Sequence, residues 1–178
     1  PGLGIVFTLE PLGMIFAFVA SFLWIVTSIY SIGYMRGNRE HNQIRFYAFF
    51  AIALFSTIGV AFAGNMLTLF VFYEILTIST FPLVTHSGTD EAKRAGRTYL
   101  GILLGTSIGL QMIAIIWTWT IAGNLDFVDG GLLAGKISEP LTGILLALYV
   151  FGIGKAALMP FHRWLPAAMV APTPVSAL

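Results

Sequence analysis

MLTLFVFYEILTISTFPLVT, residues 66–85, carries a single formal charge, Glu74. About 20 predominantly apolar residues suffice for a helix to cross the hydrocarbon of a bilayer, so this stretch reads as a transmembrane span with a carboxylate midway along it. Working outward, Gly64-Asn65 reads as a tight turn, and an apolar run over 46–63 precedes it. A further run covers 12–33. Downstream, apolar runs cover 98–122 and 141–159, and Pro160 is placed to stop or break the latter. The pattern predicts an all-α membrane protein, a bundle of about five transmembrane helices. The segment 161–178 reads as a short amphipathic tail with Pro166, Pro172 and Pro174, and the whole of 1–178 reads as one transmembrane domain.

Composition points the same way. Of 178 residues, 57% are hydrophobic and 10% charged, with a mean hydropathy of +0.88. Ordinary soluble domains carry about 25% charged residues. A soluble chain of this size would expose large apolar patches, whereas lipid covers them. The net charge of +1 offers no field for nucleic acid, and no cysteine is present for thiolate metal sites or nucleophiles. The sequence starts at Pro1 and stops in apolar residues, and reads as a piece of a longer protein.

The loop charges orient the spans. Arg36, Arg39, Arg45, Lys93, Arg94, Arg97 and Arg163 fall on one side if five spans alternate, and Lys136 alone on the other. The excess of Lys and Arg in short cytoplasmic loops puts 34–45 and 86–97 in the cytoplasm and the residues before the first span outside, in a bacterial inner membrane.

Two charges stand inside apolar sequence. Among the helical neighbours of Glu74 only Thr77 offers a hydrogen bond, so an ionised carboxylate there is costly unless paired. Lys155, within Gly152-Ile153-Gly154-Lys155-Ala156-Ala157, is the natural partner. At about 1.5 Å per residue the two differ in depth by roughly 8 Å, close to the combined reach of the two side chains. Burial favours a neutral amine and a nearby carboxylate favours ammonium, so movement of one against the other would load and release a proton. Arginine, always charged, could not do this. The competing readings are a structural carboxylate at Glu74 and a lysine at 155 that snorkels to the interface. Gly152, Gly154 and Pro160 should weaken the helix around Lys155, and broken membrane helices line cavities or ion sites.

Weaker candidates surround these. Gly101, Gly105 and Gly109 form a small-xxx-small row for helix packing. Ser107 and Gln111, one turn apart, could carry a water chain or form a structural pair. His86 and His162 could belong to a proton path or to the membrane interface. Gly152-x-Gly154-x-x-Ala157 mimics a dinucleotide fingerprint, but no acidic residue follows Glu139 and Pro160 interrupts the helix that would bind pyrophosphate. No cofactor and no metal site is expected.

Several stretches together resemble one family. They are Tyr30-Ser31-Ile32-Gly33-Tyr34-Met35, the segment around Tyr73-Glu74, Gly154-Lys155-Ala156-Ala157 with Pro160-Phe161-His162-Arg163-Trp164-Leu165-Pro166, and Ala171-Pro172-Thr173-Pro174-Val175-Ser176-Ala177. In order and spacing they are similar to the antiporter-like proton-translocating subunits. These are the large subunits of Mrp-type cation/proton antiporters and the membrane-arm subunits of respiratory complex I. The resemblance implies a larger fold of about fourteen helices with two inverted five-helix repeats, of which this chain would hold the third to seventh helices. It implies that Glu74 is the modulating carboxylate and Lys155 the proton carrier, on a broken helix. It also implies other membrane subunits as partners, and protons, with Na+ a further candidate, as the transported ions. Members of this family sit in complexes such as NADH:quinone oxidoreductase without an active site of their own. The alternative in another class is a structural membrane scaffold with a static Glu74–Lys155 ion pair.

Overall fold

The structure is a computed structural model that describes residues 3–176. Ala177 and Leu178, the end of the expected tail, lie outside the described residues, as do Pro1 and Gly2. The described chain is built of helices: α1 (Pro11–Gly37), α2 (Gln43–Ala61), α3 (Met66–Val84), α4 (Asp90–Thr106), α5 (Met112–Ala122), α6 (Glu139–Gly152), α7 (Trp164–Ala168) and α8 (Thr173–Ser176). A π-helical turn, Ser107–Gln111, joins α4 to α5 without interruption. Four stretches are long and apolar enough to cross a membrane: Pro11–Gly37, Gln43–Ala61, Met66–Val84 and Asp90–Ala122.

Each boundary has a local cause. Pro11 opens α1, where its missing N–H would lack a partner anyway. Asn65 caps α3, its side-chain oxygen accepting from Thr68 N–H at 2.7 Å. Thr89 does the same for α4, with Asp90 and Glu91 in the first turn against the positive helix end. Gly123, at φ 76°, closes α5 with a left-handed residue and donates to the Trp119 carbonyl.

The Gly64-Asn65 turn is the hub of one end of the bundle. The extended segment before α1 lies along it, with Thr8 N–H on the Phe62 carbonyl and Gly64 N–H on the Val6 carbonyl. Val6 N–H donates to Thr68 Oγ1, and Asn65 Nδ2 to the Gly4 carbonyl. Met66 N–H reaches the Leu125 carbonyl, tying in the start of the α5–α6 connection. At the opposite end, Met35, Phe46, Phe50 and Leu83 form a fully buried cluster that joins α1, α2 and α3. Between these ends α2 lies along α3, where Gly59 leaves room for the Phe72 ring. In contrast, only 6% of the most apolar part of α1 is buried, so its surface is left for lipid or protein neighbours.

The last expected span, 141–159, is broken around Lys155: α6 stops at Gly152, and a 3-10 turn at Gly154–Ala156 follows. Packing accommodates the break at the two glycines. A side chain at Gly152 would collide with the backbone of Gln111, and one at Gly154 with Thr106, so both glycines allow the broken segment to sit against the π turn and the end of α4. Side chains from elsewhere then replace the helical hydrogen bonds. Lys155 N–H donates to the Tyr73 phenol oxygen at 3.1 Å, and Trp164 Nε1 donates to the Gly154 carbonyl at 2.8 Å. Interrupted backbone at membrane depth is tolerated where protein groups re-satisfy it in this way.

Candidate functional site

Tyr73 and Thr77 stand four residues apart on α3 and therefore share a face. That face meets the broken segment. The Lys155 Nζ donates to Thr77 Oγ1 at 2.6 Å and to the Tyr73 carbonyl at 3.0 Å, and lies 3.8 Å from the centre of the Tyr73 ring. Thr77 itself donates to the same Tyr73 carbonyl at 2.9 Å. An ammonium has three N–H groups and no acceptor, and here it meets a hydroxyl, a carbonyl and a π face, all neutral.

Glu74 follows Tyr73 in sequence, so its side chain is turned about 100° away around the helix. It makes no ion pair with Lys155: among the described residues the salt bridges are His86–Glu40 and Lys93–Asp90. Glu74 Oε1 is buried and has no hydrogen-bond partner. The structure thus brings the two charges into one neighbourhood without joining them. Nor does Lys155 snorkel outward, since its amine is turned inward onto α3.

Lys155 also lines a cavity of ≈ 370 Å³, shared with Thr57, Leu76, Thr80, Tyr99 and Trp164. Thr80 Oγ1 and the Tyr99 hydroxyl are 2.6 Å apart, and Tyr99 meets the Trp164 ring edge-on at 5.6 Å. The tail therefore walls the cavity from one side while its Trp164 holds the broken segment. From sequence Thr77 stood out only as a hydrogen-bonding neighbour of Glu74, Tyr73 and Trp164 only within the family-like stretches, and Tyr99 not at all. The legible signal for the first two was the four-residue spacing of hydrogen-bonding side chains on the helix that carries Glu74.

The remaining candidates separate. Ser107 and Gln111 do not pair: Ser107 Oγ donates to the Leu103 carbonyl at 2.9 Å, while Gln111 Oε1 is buried without a partner. Both belong to the π turn, against which Gly152 packs. The expected packing of Gly101, Gly105 and Gly109 is not found within the described residues. All three are exposed, with nothing near the position a side chain would take. Their face of α4 and the π turn points away from α3 and α6.

His86 is not a plain interfacial residue. Its side chain is 1% exposed, its Nε2 lies 3.8 Å from Glu40 Oε2, and neither ring nitrogen has a hydrogen-bond partner. The ring meets Phe46 edge-on at 5.4 Å, and Arg45 Nη2 donates to the His86 carbonyl. Burial holds the imidazole below its ordinary value of 6.5, against the opposing pull of Glu40. His162, by contrast, is exposed on the turn Phe161–Arg163 and is not among the residues that line the Lys155 cavity. Among the described residues no three His, Asp or Glu side chains converge as a metal would require.

Residues 63–178 match the family described as NADH:quinone oxidoreductase/Mrp antiporter, TM. The chain belongs to this family. Its relatives include a protein of Staphylococcus haemolyticus named as the antiporter subunit mnhA2, 31% identical over 96% of this chain and 22% of the relative. Another, of Rhizobium meliloti, is named as part of a K(+)/H(+) antiporter and is 34% identical over 99% of this chain and 18% of the relative. Among solved structures, a chain of the membrane-bound sulfane sulfur reductase, an archaeal respiratory membrane complex, is similar with a TM-score of 0.83 at 26% identity. That match covers 99% of this chain and 36% of the other. The chain thus spans about a fifth of the length of these curated relatives. It is an integral membrane protein of the antiporter and complex I-like type, all-helical as its composition implied.

Proposed function

We propose that this chain forms the proton-translocating part of a larger membrane assembly, with Lys155 as the proton carrier and Glu74 as the carboxylate that modulates it. The observation that supports this most is the placement of the amine. It stands on a broken segment inside the bundle, at the wall of a cavity, held by neutral acceptors and beside a buried carboxylate oxygen with no partner. Ionisable groups at such depth serve ion or proton paths by default. A lysine can exchange its proton where an arginine cannot.

The coupled process is cation/proton exchange in partnership with other membrane proteins of the same assembly. The names of the Staphylococcus and Rhizobium relatives favour that over a quinone-linked role. The basic loops 34–45 and 86–97 face the cytoplasm and the segment before α1 faces outside, following the distribution of Lys and Arg, in a bacterial inner membrane.

Substitution of Lys155→Met in the assembled complex, reconstituted in proteoliposomes, tests the reading. Proton flux is lost while assembly is retained if Lys155 is the carrier. A scaffold role for Lys155 and Glu74 leaves the flux at its original rate. Running the same assay with Na+ and with K+ identifies the exchanged cation.

A further inference from the structure

We infer that Tyr73 and Thr77 form a second seat for the Lys155 amine, alternative to Glu74, and that Thr77 is the positioning residue that decides between them. The inference rests on Lys155 being the carrier.

Three observations carry it. First, the seat in use is complete without a carboxylate. Thr77 Oγ1 at 2.6 Å, the Tyr73 carbonyl at 3.0 Å and the Tyr73 ring at 3.8 Å give the ammonium one acceptor for each N–H. Second, the other seat is adjacent and empty. Glu74 follows Tyr73 on the same helix, and its Oε1 is buried and bonded to nothing. A polar oxygen buried without a partner is costly, and a cation within reach would relieve that cost. Third, the backbone of Lys155 is pinned while its side chain is free to swing. Its N–H is held by the Tyr73 hydroxyl, and the neighbouring Gly154 carbonyl by Trp164 Nε1, so the flexible four-carbon stem pivots about a fixed point.

Thr77 has a property that the Tyr73 carbonyl lacks. Its hydroxyl accepts from the ammonium while its own hydrogen goes to the Tyr73 carbonyl. Once the amine has lost its proton, the same hydroxyl can turn and donate to the amine lone pair. The seat can thus hold Lys155 in either protonation state, whereas the Glu74 carboxylate strongly favours the charged one. Alternation between a neutral seat and an anionic one would let the amine give up its proton at the neutral seat.

The test uses the assembled complex in proteoliposomes, with formation of the complex checked for every variant. The set is Thr77→Val, Thr77→Ser, Thr77→Ala, Glu74→Gln, the double variant Thr77→Val/Glu74→Gln, and Lys155→Met. With two alternating seats, Thr77→Val lowers proton flux about tenfold and Thr77→Ser, which keeps the hydroxyl, stays within about twofold. Loss of either seat ends the alternation, so Thr77→Val adds less than about twofold in the Glu74→Gln background. Thr77→Ala repeats the Thr77→Val result should the valine hinder assembly. The inference is overturned if Thr77→Val transports normally, if Thr77→Ser fails as badly as Thr77→Val, or if the two single losses multiply in the double variant. If instead Lys155→Met transports normally, the carrier reading falls, and this second seat with it.

Discussion

Among the described residues two inward-turned side chains can carry a proton on nitrogen, Lys155 and His86, and each has a carboxylate near it that it does not hydrogen-bond. Lys155 has every N–H answered by α3, although its nearest acidic neighbour, Glu74, stands apart. His86 has neither nitrogen answered, and Glu40 is 3.8 Å away. The difference lies in what surrounds them. Around Lys155 are hydroxyls, a carbonyl and a cavity; around His86 are Phe46 and the backbone held by Arg45. On the proposed reading, a polar environment with space lets the amine change state, while aromatic packing disfavours the charged imidazole. The contrast to test is then burial with acceptors and room against burial alone.

The strongest way to break this contrast is to remove each nitrogen in turn. Lys155→Met should reduce proton flux by about 100-fold or more, the scale of a lost proton-transfer group, while His86→Gln stays within about threefold. Equal losses at both positions would erase the distinction. Next in size is the support of the broken segment. Trp164→Phe keeps the ring packing but leaves the Gly154 carbonyl unanswered, and should cost about 1–3 kcal/mol in denaturant unfolding in detergent. An unchanged unfolding midpoint would show that the tail does not hold the break.

Glycine substitutions sharpen the picture of which surfaces are closed. Gly154→Ala puts a methyl group against Thr106 and should destabilise by about 1–3 kcal/mol. Gly105→Ala meets open space on a helix and should stabilise by up to about 1 kcal/mol in the isolated chain. A loss at Gly105 that occurs only in the assembled complex would mean that a neighbouring protein covers that face.

The smallest expected effect is on pH. The imidazole of His86 is held below 6.5 in the folded chain, so the unfolded chain binds the proton more readily as pH falls through that value. Stability at this site is therefore present above about pH 6.5 and declines below it. Protection factors over residues 38–46, corrected for the intrinsic pH dependence of amide exchange, should fall between about pH 7 and 5.5, and His86→Phe should remove that fall. Glu40 limits the size of the change because it favours the charged ring.

Much of the fold was legible because lipid imposes length and polarity on each segment. The stretches 12–33, 46–63, 66–85 and 98–122 could be read from hydropathy, and helices of membrane-spanning length stand there. Glu74 and Lys155 stood out because charges in apolar sequence are rare. What could not be read was how the segments interlock. A break near Lys155 was expected from Gly152, Gly154 and Pro160, but the contacts of Gly152 with Gln111 and of Gly154 with Thr106 could not be read, because long-range contacts leave no periodicity. The π turn at Ser107–Gln111 has no sequence code, so the two residues looked like neighbours on an ordinary helix. The glycine row on α4 had the right spacing for packing, yet spacing does not say whether a partner is present. The amine's contacts with Tyr73 and Thr77, rather than Glu74, depended on the rotation of α3, which hydropathy along a nearly uniform helix does not reveal.

Whether Lys155 acts by exchanging a proton or merely by being positive is decided most directly by Lys155→Arg in the assembled complex, with proton flux followed in proteoliposomes. Arginine keeps the charge, so a static partner for Glu74 survives, but it does not give up its proton. Flux should fall to the level of Lys155→Met with assembly intact. Flux at the original rate in Lys155→Arg would contradict a titrating carrier at this position.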